Sequence, residues 1–207
     1  MKDYKPVSKV AQDEIIEKKS RFIASVAPCK TEEEALSFLA EVRKKYSDAT
    51  HNVYAYNITE NNIRRYSDDG EPSGTAGVPT LDVILKEDLT DICVVVTRYF
   101  GGTLLGAGGL VRAYGKAAKA GIVAAEIVKI IYSEIFTVTI DYPDLGKTEY
   151  EISENGYEIL DKEYGGAVSI TVSTEKARGD ELCKKLTEAT AGRAVIEKCG
   201  ERFVPVK

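Results

Sequence analysis

The stretch VVVTRYFGGTLLGAGGLVRAYGKAAKAGIVAA, Val94–Ala125, decides how this chain is read. Together with the residues before it, DICVVVT (91–97) is a near-continuous apolar, β-branched run, the pattern of a central strand covered on both faces. Glycines follow at 101, 102, 106, 108 and 109, and LVRAYGKAAKAGIVAA (110–125) then reads as a helix. Its Leu110, Tyr114, Ala117, Gly121 and Ala125 fall on one side. Arg112, Lys116 and Lys119 fall on the other, within about 60° of one another at 100° per residue. Gly115 and Gly121 lower helix propensity, so they are expected to permit close packing.

Glycines between a strand and a helix outline a phosphate loop. The nucleotide patterns nevertheless fail here. Gly101 and Gly106 have the Walker spacing, but Ala107 and Gly108 stand where lysine and a hydroxyl are needed. Gly106 and Gly108 lead to Val111, where the dinucleotide pattern needs a small residue. Two readings survive. The glycines form a tight turn with close contacts beside a solvated basic helix face. Alternatively, exposed amides and basic side chains hold polynucleotide phosphates without reading bases. The candidate set is Arg98, Gly101, Gly102, Gly106, Gly109, Arg112, Lys116 and Lys119, with Tyr99, Phe100 and Tyr114 as stacking faces or core.

Charge sharpens the contrast. The 207 residues carry a net charge of −5, which argues against a general basic coat. Residues 60–91 hold eight acids against Arg64, Arg65 and Lys86, whereas residues 92–125 hold four bases and no acid. Folded over the basic helix face, the acidic segment would cancel its field. The four cysteines, Cys29, Cys93, Cys183 and Cys199, have no C-x-x-C spacing and read as buried free thiols in a reducing compartment. No apolar run is long enough to span a bilayer, and the charged start shows no secretory leader, so a cytoplasmic location is expected.

Residues 9–27 read as an N-terminal hairpin or a pair of extended segments, with Phe22, Ala24 and Val26 alternating on one face. Thr31 and Glu34 form a capping box for a helix with Ala35, Phe38, Leu39, Val42 and Tyr46 on one stripe. HNVYAYNI (51–58) is a strand, residues 59–77 a polar loop, and residues 79–87 a short helix that tolerates Pro79 in its first turn. After Val128 the order is strand, helix, strand, strand, helix, strand. This is a ferredoxin-like βαββαβ domain, with a two-residue turn at Gly165-Gly166 in positive φ and Gly156 and Gly192 as helix ends. Domains are therefore expected at 1–127 and 128–207.

The 66–77 loop offers an alternative chemistry. Ser73 could be a nucleophile served by His51, the chain's single histidine, but GEPSGTAG is not the G-x-S-x-G elbow. Asp68, Asp69 and Glu71 could hold a hard cation, or simply be solvated. No reaction can be named from these residues, and no catalytic residue, metal or cofactor is assigned.

RYSDDGEPSGTAGVP (65–79) and VVVTRYFGGTLLGAGGLVRAYGKA (94–117) together resemble the signature of the IMPACT-like, YigZ-type family, and the resemblance covers essentially the whole chain. It implies an α+β protein of two domains. The first is an α/β sandwich of the ribosomal-protein type seen in elongation factor G domain IV. The second is a ferredoxin-like domain similar to that factor's domain V. Both folds recur in proteins that bind RNA and the ribosome, an analogy of fold. Arg98, Gly101, Gly102, Gly106, Gly109 and Arg112 match one family block, and Asp69, Gly70, Glu71 and Ser73 the other. Some bacterial relatives carry a proline-dipeptidase label, but the metal ligands such an enzyme needs are not visible in the sequence. Eukaryotic members that restrain the amino-acid-starvation kinase carry a further N-terminal interaction domain. This chain begins with the shared module, so that regulation is not expected to carry over. The expectation is a cytoplasmic, non-catalytic protein that binds RNA or the ribosome in a translation-related role, with a translation-associated protein as a further partner and no membrane contact. A hydrolase using the 66–77 loop and a protein-interaction module are the alternatives.

Overall fold

A computed structural model describes residues 3–206, which divide into two compact units, Tyr4–Lys129 and residues 130–206 together with Asp3. The first unit contains β1 (Ala11–Glu17), β2 (Ser20–Pro28), α1 (Glu32–Lys45), β3 (His51–Ile58), β4 (Ile63–Ser67), α2 (Gly77–Lys86), β5 (Ile92–Tyr99) and α3 (Ala107–Ala124). Its sheet has the order β1-β2-β5-β3-β4, with every pairing antiparallel.

The central position of β5 explains its unbroken apolar run. Ile92, Val94 and Val96 enter one layer with Phe22, Ala24 and Val26 of β2 and with Leu110, Tyr114 and Ile122 of α3. Cys93 and Val95 enter the opposite layer with Ala35, Leu39 and Val42 of α1. A strand walled on both sides has no polar face to show. The α3 stripe is buried as its spacing requires: Leu110, Tyr114, Ala117, Gly121 and Ala125 are all in the interior. A Cβ at Gly121 would lie 2.7 Å from Ala24 Cβ and 2.9 Å from Val26 Cγ2, so glycine is what lets α3 lie against β2. The Phe22 and Tyr114 rings meet edge to face at 5.2 Å, a contact that contributes about 0.5–1.5 kcal/mol beyond area burial.

At the start of α1, Glu34 N–H donates to Thr31 Oγ1 at 3.2 Å, which meets one free amide of the first turn, whereas Glu34 Oε2 accepts from Lys30 N–H at 2.7 Å, one residue before the cap amide that a full capping box would use. The 59–77 expectation needs correction. Ile63–Ser67 pairs with β3 as the edge strand β4, from Ile58↔Ile63 to Tyr54↔Ser67. Arg64, Arg65 and Tyr66 are exposed in succession, so no alternation betrays the strand, and charged side chains protect its open edge.

The second unit contains β6 (Lys129–Ile140), α4 (Leu145–Glu154), β7 (Glu158–Tyr164), β8 (Val168–Glu175), α5 (Gly179–Ala189) and β9 (Val195–Val206). The sheet order β7-β8-β6-β9 is the ferredoxin-like arrangement, with β8 antiparallel to both β6 and β7. Val138, Ile140, Val168, Ile170 and Val172 pack against Ile152 of α4 and Leu182 and Leu186 of α5. Gly156 and Gly192 end the two helices at φ 66° and 79°. The β7–β8 turn is longer than expected. Tyr164 pairs with Val168, so Gly165, Gly166 and Ala167 form a three-residue loop and neither glycine takes positive φ.

Candidate functional site

The hairpin of β1 and β2 closes through Lys18 and Lys19, both in left-handed conformations at φ 46° and 68°. A two-residue turn of this kind ordinarily uses Asn-Gly, because other residues pay a steric cost there. The turn backbone is held against Gly101: a Cβ on that glycine would stand 2.1 Å from the Lys19 carbonyl carbon. The Gly101 amide is spent as well, donating to Ser20 Oγ at 3.1 Å. Gly101 is therefore a contact residue, and exposed Gly102 and Gly106, at φ 80° and 70°, shape the loop into α3.

Beside this turn lies the basic side of α3. Lys116 Nζ is 3.8 Å from Glu17, and Lys119 pairs with Glu87 at 2.5 Å. The acidic segment thus reaches the basic helix at its C-terminal half. Such surface pairs contribute at most about 1 kcal/mol and leave the lysines accessible. Arg112, Lys18 and Lys19 are exposed and have no ion-pair partner among the described residues. The two turn lysines escape a reading by helix periodicity. Their signal is a KK pair between two alternating segments, which a hairpin turn brings against the glycine loop.

Arg98 does not belong to that exposed set. It lies inside β5 with its side chain 7% exposed, and Nη1 donates to Glu71 Oε1 at 2.6 Å. Tyr114 Oη donates to the same oxygen at 2.8 Å. Burial pushes the Tyr114 phenol far above its usual value, and the Glu71 carboxylate beside it adds to the rise, so the phenol remains a donor. Arg98 Nη2 reaches Ser20 Oγ only at 3.5 Å, and Nε has no partner. The sequence pairs Arg98 with Arg112 by proximity along the chain. Strand alternation instead turns Arg98 inward, toward Tyr114.

Loop residues Asp69 and Asp68 are structural acceptors. Asp69 accepts from Asn52 N–H at 2.7 Å and from Arg43 at 2.8 Å. Asp68 accepts from the amides of Gly74, Ala76 and Gly77 at 2.8–3.0 Å, which ties the loop to the start of α2. Burial pushes the Asp68 carboxyl up, but the three backbone donors outweigh it and hold it below the usual carboxylate range. Gly70 permits φ 89° against the His51 ring. Ser73 is exposed and makes no hydrogen bond among the described residues, while His51 Nδ1 is 2.7 Å from the Asp69 carbonyl and Nε2 is 3.8 Å from Glu71. No Ser–His pair is assembled, and among the described residues no cluster could hold a metal ion. His51, Glu71 and Arg98 instead line a cleft of about 370 Å³ with Phe100, Leu104 and the first residues of α3.

Comparison with known proteins sets this site in a family. The Impact N-terminal domain matches residues 18–122, and a domain of unknown function (DUF1949) matches residues 138–193. The IMPACT family member YvyE of Bacillus subtilis is 41% identical, over 94% of this chain and 90% of that protein. YigZ of Escherichia coli is 33% identical, over 84% of this chain and 87% of its own. A crystal structure described as that of a hypothetical protein superposes with a TM-score of 0.60 at 30% identity, covering 95% of this chain and 97% of that one. Yih1, titled a two-domain translational regulator, is 28% identical over 57% of this chain and 48% of its own, and its TM-score of 0.39 is too low to bear on the fold. Matched in both halves and along nearly its whole length, the chain belongs to the IMPACT family.

Proposed function

We propose that the chain is a translation-related binding protein whose first unit holds RNA, free or in the ribosome, by its phosphate backbone. The family relation supports the translation link. One observation carries the RNA reading: Lys18, Lys19 and Arg112, all exposed and unpaired among the described residues, flank the glycine loop with Lys116 beside them. Such a rim attracts phosphates without reading bases. Electrostatic binding of this kind weakens steeply with salt, and each lost phosphate contact flattens the log–log salt slope by about one unit. The test is salt-titrated binding of single-stranded RNA by the wild type and by Lys18→Glu/Arg112→Glu, with melting curves of both. The expected result is an affinity loss of at least about tenfold, or 1.4 kcal/mol, with the melting temperature unchanged. Unchanged affinity would end the reading.

A further inference from the structure

The sheet of the second unit has a long open edge. β9 comes last in the order β7-β8-β6-β9, so one flank of this 12-residue strand pairs with β6 and the other has no strand beside it among the described residues. Between Val195 and Arg202, again among the described residues, no backbone hydrogen bond leads out of the sheet. Such a row of unpaired amides and carbonyls is a template for another strand. Apolar side chains extend it, with Val195 and Phe203 standing 57% and 38% exposed.

The order of residues along this edge selects the strand that fits it. Turned end for end about the Cys199–Gly200 step, VIEKCGERFV (195–204) sets Ile196 against Phe203, Glu197 against Arg202 and Lys198 against Glu201. Every match is apolar with apolar or acid with base, and a two-fold axis makes each of them twice. Slipping the register by one residue sets Lys198 against Arg202 in one direction and Glu197 against Glu201 in the other, like charge on like. Parallel pairing in register would place every charge on its own copy.

Residues that face each other across a pair of strands must also share a face, which a regular strand denies to Lys198 and Glu201, three positions apart. β9 changes phase at Gly200, whose φ is 150°. Before it, Lys198 Nζ reaches Glu134 at 2.6 Å. After it, Glu201 hydrogen-bonds Tyr132, and the Phe203 ring meets the Tyr132 ring at 5.2 Å. Tyr132 and Glu134 lie two apart in β6 and share a face, so Lys198, Glu201 and Phe203 share it too. Cys199 is on the other face, where its Sγ lies 2.9 Å from Thr137 Oγ1. Glu197 and Arg202 alternate onto that second face. Both are exposed, and neither has an ion-pair partner among the described residues.

We propose that the chain forms a symmetric dimer in which β9 of two copies pair antiparallel about the Cys199–Gly200 step, joining two four-stranded sheets into one. The contact is isologous and closes after two copies. Across the axis Glu197 and Arg202 find the partners that a single chain does not supply. The proposal concerns the second unit and does not rest on the RNA reading.

Sedimentation velocity of the full chain over a concentration series tests the proposal, and a concentration-dependent dimer is expected. Glu197→Arg and Arg202→Glu each set like charges together at two places, and each should weaken association at least about tenfold. The double reversal Glu197→Arg/Arg202→Glu restores both pairings and should return association to within about threefold of the wild type. Circular dichroism spectra of all three variants should match the wild type, because both side chains are exposed. A bismaleimide of short span should couple Cys199 to its copy across the axis, giving a covalent dimer that Cys199→Ser abolishes. Lys18→Glu/Arg112→Glu should leave the dimer intact, which separates this contact from the RNA rim. A chain that stays monomeric at millimolar concentration, a dimer indifferent to the single reversals, or a double reversal no better than the singles would overturn the proposal.

Discussion

Replacing Glu71 with alanine removes the acceptor that Arg98 reaches at 2.6 Å and Tyr114 at 2.8 Å. Neither donor can turn to water instead, because the Arg98 side chain is 7% exposed and Tyr114 is fully buried. A buried cation stripped of its counterion costs about 3–5 kcal/mol, several times what a surface pair is worth. For a unit of this length, each kcal/mol lowers the melting temperature by about 4 °C, so a fall of about 12–20 °C is expected. The double variant Glu71→Leu/Arg98→Met removes both charges and should recover much of that loss, since neither partner is then stranded. Urea unfolding followed by circular dichroism supplies the free energies, and a double-mutant cycle isolates the coupling. A loss below about 1 kcal/mol for Glu71→Ala, or a double variant as unstable as the sum of the singles, would refute the reasoning.

Gly101→Ala drives a Cβ into the Lys19 backbone and should cost about 3 kcal/mol. Gly102→Ala meets no neighbour and should cost only the about 1 kcal/mol of left-handed strain, a contrast that thermal melts will read. Asp68 titrates lower in the folded state than in the unfolded one, so its stabilisation is present at neutral pH and is lost as pH falls through the folded value. Asp68→Asn should therefore be less stable at pH 7 and lose less stability than the wild type below about pH 4, measured by urea unfolding across pH. Exposed Cys199 should react first with a thiol reagent, followed by half-buried Cys183, whose thiol burial pushes up. Cys29 and Cys93 lie in the α1 layer and should react only on unfolding, with the Cys93 thiol raised by its hydrogen bond to Cys29 and by burial.

Much of the fold could be read along the chain because its signals are local. The β-branched run of β5, the period of α3 and the Thr31–Glu34 cap each act within a few residues. β4 escaped because an edge strand with three successive exposed side chains has neither alternation nor an apolar run. The site divides along the same line. Arg112 and the α3 lysines follow from helical periodicity. The inward turn of Arg98 follows the alternation of β5 as well, but its pairing with Glu71 27 positions earlier and the placing of Lys19 against Gly101 are long-range products of how the strands and the 68–77 loop come together, which no local pattern encodes.

The strand order β1-β2-β5-β3-β4 also sets a timetable for the growing polypeptide. β2 and β3 are synthesised well before β5, yet neither can take its place beside the other until β5 lies between them. A nascent chain that has reached Asp91 therefore carries two strand edges with no neighbour to join, together with apolar faces awaiting α3. Closure of the sheet is a late and non-local event, of the kind that slows folding and favours association while it is pending. A product truncated before Tyr99 should consequently gather into aggregates instead of settling as half a domain.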